Sequence, residues 1–359
     1  MQKTIAMLAV LLVAQLALAV GMSLTGPELS ASRPDTPLVG LGGRTVDRIT
    51  IEGSDDQKLV LVRQPDGWVL PGMDDFPADD TKVGRLLDQL EGLKRGLAVA
   101  TTEGAQKRFK VSEESFERRV TLAKSDETLA TLYFGTSPGM RQVHARTSND
   151  DAVYTAGFGL YDAPAKAEDW EDKGVLKLPS EQIASITLGE LTLTRAPVTE
   201  DGNPSQDEAA ETSGEAVWHA ESLQEGETVS QEDADALAQK LASLTIGSVL
   251  GQEASAGYGL EAPVLALSVK RQDGETIEYR LGERDAENDY VLKVSSRPEY
   301  FRVPGYTAKP LIEAAARERL LHSADEATGA DDAAQGPPDA SEEDARPTEP
   351  GAGAEQDGS

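Results

Sequence analysis

The chain has no cysteine. Disulfides, thiol catalysis, thiolate metal sites and a lipidated cysteine are therefore excluded, and the folded part must be held by its core alone. Aromatic residues are scarce at 5%, and basic ones are outnumbered: 34 Lys and Arg against 63 Asp and Glu give a formal net charge of −29. Nucleic-acid affinity depends on clustered Lys and Arg, so this balance argues against a nucleic-acid partner and against docking on anionic lipid headgroups. The three histidines, His144, His219 and His322, include no pair at ligand spacing, and none has a nucleophile partner in the sequence, so surface or edge positions are expected for them. No Gly-x-x-x-x-Gly-Lys stretch is present to cradle a nucleotide's phosphates, so the chain is not itself an ATPase. Gly135-Thr-Ser-Pro-Gly139 does not match the Gly-x-Ser-x-Gly of a hydrolase and reads as a turn between strands. On these grounds no catalytic, cofactor-binding or metal-ligating residue is assigned, and no cofactor is expected.

There is one long apolar run. From Ile5 to Met22 the only strongly polar side chain is Gln15. As a helix these residues would span roughly 27 Å, close to the hydrocarbon thickness of a bilayer. Lys3 and the terminal amine place positive charge on the side that should stay cytoplasmic, so the body is expected on the periplasmic side of the inner membrane. A cleaved signal peptide is the competing reading, because Ala17-Leu18-Ala19 has the small-x-small pattern of a cleavage site. The apolar run continues past that site through Val20, Gly21 and Met22, which suits an anchor better. Residues 1–24 are thus read as anchor or signal segment, and the Pro- and Gly-rich residues 25–45 as a linker.

Two further stretches lack what a fold needs. Val198–Ala216 holds six carboxylates and no Lys or Arg, which predicts a mobile acidic loop. Residues 323–359 carry eleven acidic residues against Arg346 alone, among Ala, Gly and Pro, and are expected to be a disordered tail. Together they hold 16 of the 29 net negative charges, so the folded part is only moderately acidic.

What the chain does have is a pattern that occurs twice. From Asp66 to Val99 it reads as a strand carrying Trp68, an acidic turn, and an amphipathic helix with Val83, Leu86, Leu87, Leu90 and Leu93 on one face. Asp79 or Asp80 stands at its N-cap, Lys94 and Arg95 in its last turn, and Gly96 after it. Later the order returns, with Trp218 on a strand and a helix capped by Ser230 that presents Ala234, Leu237, Leu241 and Leu244. Each unit is preceded by two alternating strands and followed by hairpins. Phe134-Gly135 is answered by Leu281-Gly282, and Phe109-Lys-Val111 by Tyr258-Gly-Leu260. A short helical turn is expected at residues 111–116, and a terminal helix from Lys309 to Leu321. The pattern predicts an α+β chain of two tandem repeats, residues 46–180 and 181–322, each a mostly antiparallel sheet with one principal helix.

Each residue that could carry chemistry has a plainer reading beside it. Asp74, Asp75, Asp79 and Asp80 could chelate calcium, but the group lacks the alternating ligands and central glycine of a calcium loop, and helix capping explains two of the four. Asp285, Glu287, Asn288 and Asp289 read as a solvated hairpin tip. Trp68 and Trp218 could stack on a sugar ring, although paired positions in a repeat favour core plugs. Trp170, near two acids and Lys173, closes the first half and stands apart from both.

The order of these motifs resembles a known family. Trp68-Val-Leu-Pro, the helix from Ala78 through Leu90, Leu132-Tyr-Phe-Gly, Val153-Tyr-Thr and Asp169-Trp-Glu-Asp-Lys-Gly-Val-Leu together look like DUF4340, a domain-of-unknown-function family. The resemblance covers most of residues 46–322; the family tends to have Arg where Glu171 stands. It implies an envelope-exposed, membrane-anchored protein whose partners would be an ABC-type export permease and its auxiliary subunit, and it brings no catalytic residues. The expected function is a non-enzymatic accessory or scaffold protein of such a system. The alternative is an extracytoplasmic module that binds a glycan, lipid or peptide between its two halves.

Overall fold

The computed structural model describes residues 15, 36–197, 216–221, 223–284 and 288–323. Apart from Gln15 and Ala216, the expected membrane segment and the acidic loop lie outside the described residues, as do the acidic tail beyond Ser323, Asp285 and Glu287. Among the described residues no helix is long and apolar enough to cross a membrane.

The fold is α+β, built on antiparallel sheets with few helices. The first sheet comprises β1 (Arg48–Gly53), β2 (Lys58–Gln64), β3 (Gly67–Leu70), β4 (Phe76–Pro77), β5 (Arg118–Lys124), β6 (Glu127–Phe134), β7 (Val143–Thr147) and β8 (Tyr154–Ala156). Its order is β4-β3-β2-β1-β5-β6-β7-β8. Alternation dictates the buried face: Ile49 and Ile51 of β1, Leu59 and Leu61 of β2, and Val120 and Leu122 of β5 all point into one core. Against them packs α1 (Asp80–Gly92) through Val83, Leu86 and Leu90. Asp79 is its N-cap, with Oδ1 accepting from the Lys82 backbone N–H at 2.9 Å. A smaller cluster of Val111, Tyr133 and Val153, with Phe109 and Phe116 against it, forms apart from this core.

Three local expectations are corrected. The helix ends at Gly92 rather than at Arg95, because Leu93 turns to extended backbone and its carbonyl accepts from Leu38 N–H at 2.7 Å. The partner in that bond belongs to the stretch expected to be an unpacked linker. Leu38, Val39 and Leu41 are in fact buried in the core, and Pro37 pairs with Lys94; three aliphatic side chains outweigh the Pro and Gly around them. Finally, Val111 and Phe116 close a bridge rather than a helical turn, and the helix lies just before, as α2 (Glu103–Arg108) capped by Thr102.

Downstream come β9 (Ile183–Leu188), β10 (Leu191–Pro197), β11 (Ala216–Ala220), β12 (Glu227–Val229), α3 (Gln231–Ala242), β13 (Ser248–Gly251), β14 (Leu265–Arg271), β15 (Thr276–Glu283), β16 (Asp289–Val294), β17 (Tyr300–Pro304), α4 (Gly305–Ala314), α5 (Arg317–Leu320) and β18 (Leu321–Ser323). The second sheet runs β11-β10-β9-β14-β15-β16-β17-β13, and β12 pairs with β18. The Ser230 hydroxyl accepts from Asp233 N–H and donates to its carboxylate, and Ala234, Leu237, Leu241 and Leu244 are buried as the spacing predicts. The terminal helix is two short pieces, α4 carrying Pro310 and α5 buried through Leu320.

By packing, the chain divides into two units. One takes Met1–Leu178, Ala242–Val264 and Tyr279–Ala308; the other takes Pro179–Leu241, Leu265–Glu278 and Lys309–Ser359. This grouping differs from the boundaries at 46–180 and 181–322, which follow the order of the motifs along the chain.

Candidate functional site

In the first unit, charged and aromatic side chains converge where Asp169–Leu178 runs beside the start of α1. The segment is held there by backbone. Ala78 bridges Glu171, Asp79 N–H donates to Trp170 O at 2.8 Å, and Asp172 N–H donates to Pro77 O at 2.9 Å. On its other side Ile246 N–H donates to Lys173 O at 3.0 Å and Leu178 N–H to Ala242 O at 3.2 Å. Trp170 is fully buried, and its indole N–H finds Pro164 O at 2.9 Å, as a buried tryptophan requires.

Glu171 is the most unusual ionisable group here. It is only 2% exposed. Its Oε2 accepts from Lys173 Nζ at 2.5 Å and from Val249 N–H at 3.2 Å, while Oε1 has no partner among the described residues. Burial raises its carboxyl above the ordinary range, against the pull of Lys173 and the Val249 N–H. Lys82, one turn into α1, lies over the Trp170 ring at 4.9 Å and donates to Asp169 O. Burial lowers its ammonium, and the carboxylates of Asp169 and Asp79 oppose that shift. The geometry uses these groups to join three backbone segments: the carboxylate and the ammoniums are bonded to main chain or to each other.

A second feature of the same unit is an open cleft of roughly 680 Å³ beside β8, between the residues after α1 and the turn before β7. Lys94, Arg95, Leu97, Gln142, Thr155 and Gly157 are among its lining residues. Arg95 pairs with Asp150 at 3.6 Å. Leu97 is 66% exposed. The cleft went unread in the sequence because its two walls lie far apart along the chain. The one signal was Leu97-Ala-Val99, an apolar run just after the glycine taken to end the helix.

The residues singled out from the sequence are placed as follows. Trp68 and Trp218 are 5% and 1% exposed, so neither offers a ring to a sugar. Asp79 caps α1, Asp80 accepts from Trp68 N–H, and Asp74 accepts from Gln252 Nε2 at 3.3 Å. Asp289 pairs with Arg302 at 3.0 Å. Among the described residues no three His, Asp or Glu side chains gather as metal ligands would. His144 is not at the surface: it is buried, its ring stacks on Phe109 at 4.1 Å, and Nδ1 sits 2.9 Å from both the carbonyl and the hydroxyl of Thr136. His219 is half-buried and His322 exposed. The sequence reading missed Arg146, which is buried with Nε donating to Val111 O at 2.7 Å and its guanidinium 4.7 Å from the centre of the Tyr133 ring. An arginine on a strand carries no pattern that announces such burial.

The family model for the domain of unknown function DUF4340 matches residues 68–263, more than half of the chain. No curated protein and no solved structure matches it.

Proposed function

This chain belongs to the DUF4340 family, and from that premise we propose that it is a non-enzymatic accessory or scaffold protein of the cell envelope. In this reading residues 5–22 anchor it in the inner membrane, its body lies on the periplasmic side, and it works beside an ABC-type permease and that permease's auxiliary subunit. The observation that carries the reading is the packing of Leu38, Val39 and Leu41 into the first core. Residues 23–35 alone then separate the apolar run from the packed body, a reach of at most about 45 Å even if fully extended. A body tied so closely to its anchor suits a part that must meet other membrane-bound parts. The roles of Glu171, Lys82 and Lys173 in joining backbone segments also support a structural rather than a chemical task.

The test is fractionation followed by purification from detergent. The full chain should keep Met1, resist carbonate washing, and bring a permease with it. A soluble form beginning near Val20 would sink the anchor. Recovery of the anchored chain alone after mild crosslinking would sink the association with a transporter.

We also propose that the two sheets are copies of one ancestral unit. The strand order β3-β2-β1-β5-β6-β7-β8 has the same sequence of connections as β11-β10-β9-β14-β15-β16-β17. In each copy the tryptophan N–H donates to the first residue of the following helix, Asp80 for Trp68 and Gln231 for Trp218. The scaffold reading gains from this, since duplicated sheets enlarge contact surface without adding a reactive group.

A further inference from the structure

One end of the first sheet combines exposed apolar side chains with a lack of carboxylates. Leu97 is 66% exposed, Val99 47% and Met140 93%. Met140 and Arg141 are the tip of a turn closed by Gln142 N–H, which donates to Gly139 O at 3.2 Å. Gln142 and Leu97 line the same cleft, so this turn and residues 92–97 stand together. The segments that carry these side chains, residues 92–102 and 128–149, contain no Asp or Glu, in a chain that has 63. A lone exposed apolar side chain is ordinary; neighbouring ones on carboxylate-free segments mark a surface that leaves water.

The point where the chain joins the body says what covers that surface. Thr36 O accepts from Arg95 N–H at 2.8 Å, Pro37 bridges Lys94 in the antiparallel sense, and Leu38 N–H donates to Leu93 O at 2.7 Å. Followed from Leu38 back toward residues 5–22, the chain thus advances from Leu93 to Arg95, in the direction of Leu97. Only residues 23–35 then separate Thr36 from the apolar run. We propose that Leu97, Val99 and Met140 insert into the acyl boundary of the bilayer that anchors residues 5–22, and so dock the first unit on the lipid surface. This docking rests on the anchor described under the proposed function. Apolar side chains enter such a boundary by about 5–10 Å, whereas a carboxylate brought there loses hydration at high cost. The attraction is apolar rather than ionic. A net charge of −29 repels anionic headgroups, and Arg95 is already paired with Asp150 at 3.6 Å.

Because the chain has no cysteine, Leu97→Cys, Val99→Cys and Met140→Cys each give it one thiol for an environment-sensitive fluorophore. Asp126→Cys is the control. Asp126 is exposed in the turn before β6, Met140 follows that strand, and its eight residues set the two ends about 25 Å apart. Each labelled full-length chain is reconstituted in phosphatidylcholine vesicles, with or without a nitroxide high on the lipid acyl chain. The nitroxide should quench the labels at 97, 99 and 140 about threefold more than the label at 126, and equally in about 1 M salt. Leu97→Asp with Met140→Asp, both at exposed positions, should bring the label at 99 down to the level of the control. Labels at 97 and 140 quenched no more than the one at 126, in a chain that resists carbonate washing, would leave the anchor standing and overturn the docking. Release of the chain by carbonate would remove the anchor and the docking with it. Crosslinking of Leu97→Cys to a second copy, with the label at 140 unquenched, would also overturn the docking, since the face would then belong to a dimer.

Discussion

The backbone N–H of Trp68 donates to Oδ1 of Asp80 at 2.7 Å. A residue at the head of a helix thereby fixes the main chain of the strand that the helix follows, and the tryptophan ring is delivered to the core. Trp218 and Gln231 make the same contact at 2.7 Å, and there Gln231 Nε2 also donates back to Trp218 O at 2.8 Å. Asp80→Ala should leave the Trp68 N–H without its acceptor and cost about 0.5–1.5 kcal/mol, while Asp80→Asn should cost less than half as much. Urea midpoints of the two variants decide it; equal losses would mean that the charge near the helix N-terminus matters rather than the acceptor.

The repeat gives a paired prediction. Leu90 and Leu241 are both fully buried on the inner face of their helices. Leu90→Ala and Leu241→Ala should each cost about 2–5 kcal/mol, whereas Asp88→Ala, on the exposed face of α1, should stay within about 0.5 kcal/mol. A mild effect at either leucine would break the equivalence of the two helices.

Much of this was legible because the helical faces and the hairpins are local. The positions Val83, Leu86 and Leu90 needed only the 3.6-residue period, and the β5–β6 hairpin only its turn. What the sequence hid was set by tertiary pairing. Lys94 and Arg95 look like a helix's last turn, yet the helix stops at Gly92 because Leu93 is drawn into a pairing with Leu38. Leu38, Val39 and Leu41 sit among Pro and Gly with no periodicity to betray them. His144 and Arg146 gave no sign of burial, since it is Phe109 and Val111, far along the chain, that cover them. The cleft beside β8 brings residues 92–97 against residues 155–157, a tertiary approach that no local pattern announces.

The packing of the segment before β1 can be tested directly. Leu38→Ala removes a side chain that is 2% exposed and should cost about 2–5 kcal/mol. Stability unchanged within error would return residues 36–41 to the role of a loose linker, and with it weaken the argument for a body held close to the membrane.

Glu171 makes a pH prediction. A carboxyl whose folded pKa is raised binds more protons in the folded chain than in the unfolded one. Its contribution is then greatest below the ordinary value of 4.5 and is lost as pH rises through the folded value. Glu171→Gln stops the titration and keeps an acceptor for Val249 N–H. The stability of the parent chain relative to this variant should therefore fall as pH rises from the ordinary carboxylate range through the raised folded value. A rise over that interval would mean that the ion pair with Lys173 outweighs desolvation.

Two glycines carry the last prediction. A Cβ on Gly135 would lie 1.9 Å from Phe109 O, and one on Gly282 would lie 2.2 Å from Tyr258 O. In both places the obstacle is backbone, which cannot swing aside as a long side chain can, so Gly135→Ala and Gly282→Ala should each cost about 3 kcal/mol or more. Gly84 supplies the contrast. It sits inside α1 with nothing within 4 Å of a Cβ, and Gly84→Ala should stabilise the chain by about 0.5–1 kcal/mol through helix propensity alone. The same chemical change thus has opposite signs at three positions, which removes any general effect of added methyl groups from the comparison. If Gly135→Ala is severe and Gly282→Ala is tolerated, the strand-to-loop contact belongs to the first sheet only, and the equivalence of Phe134-Gly135 with Leu281-Gly282 fails with it.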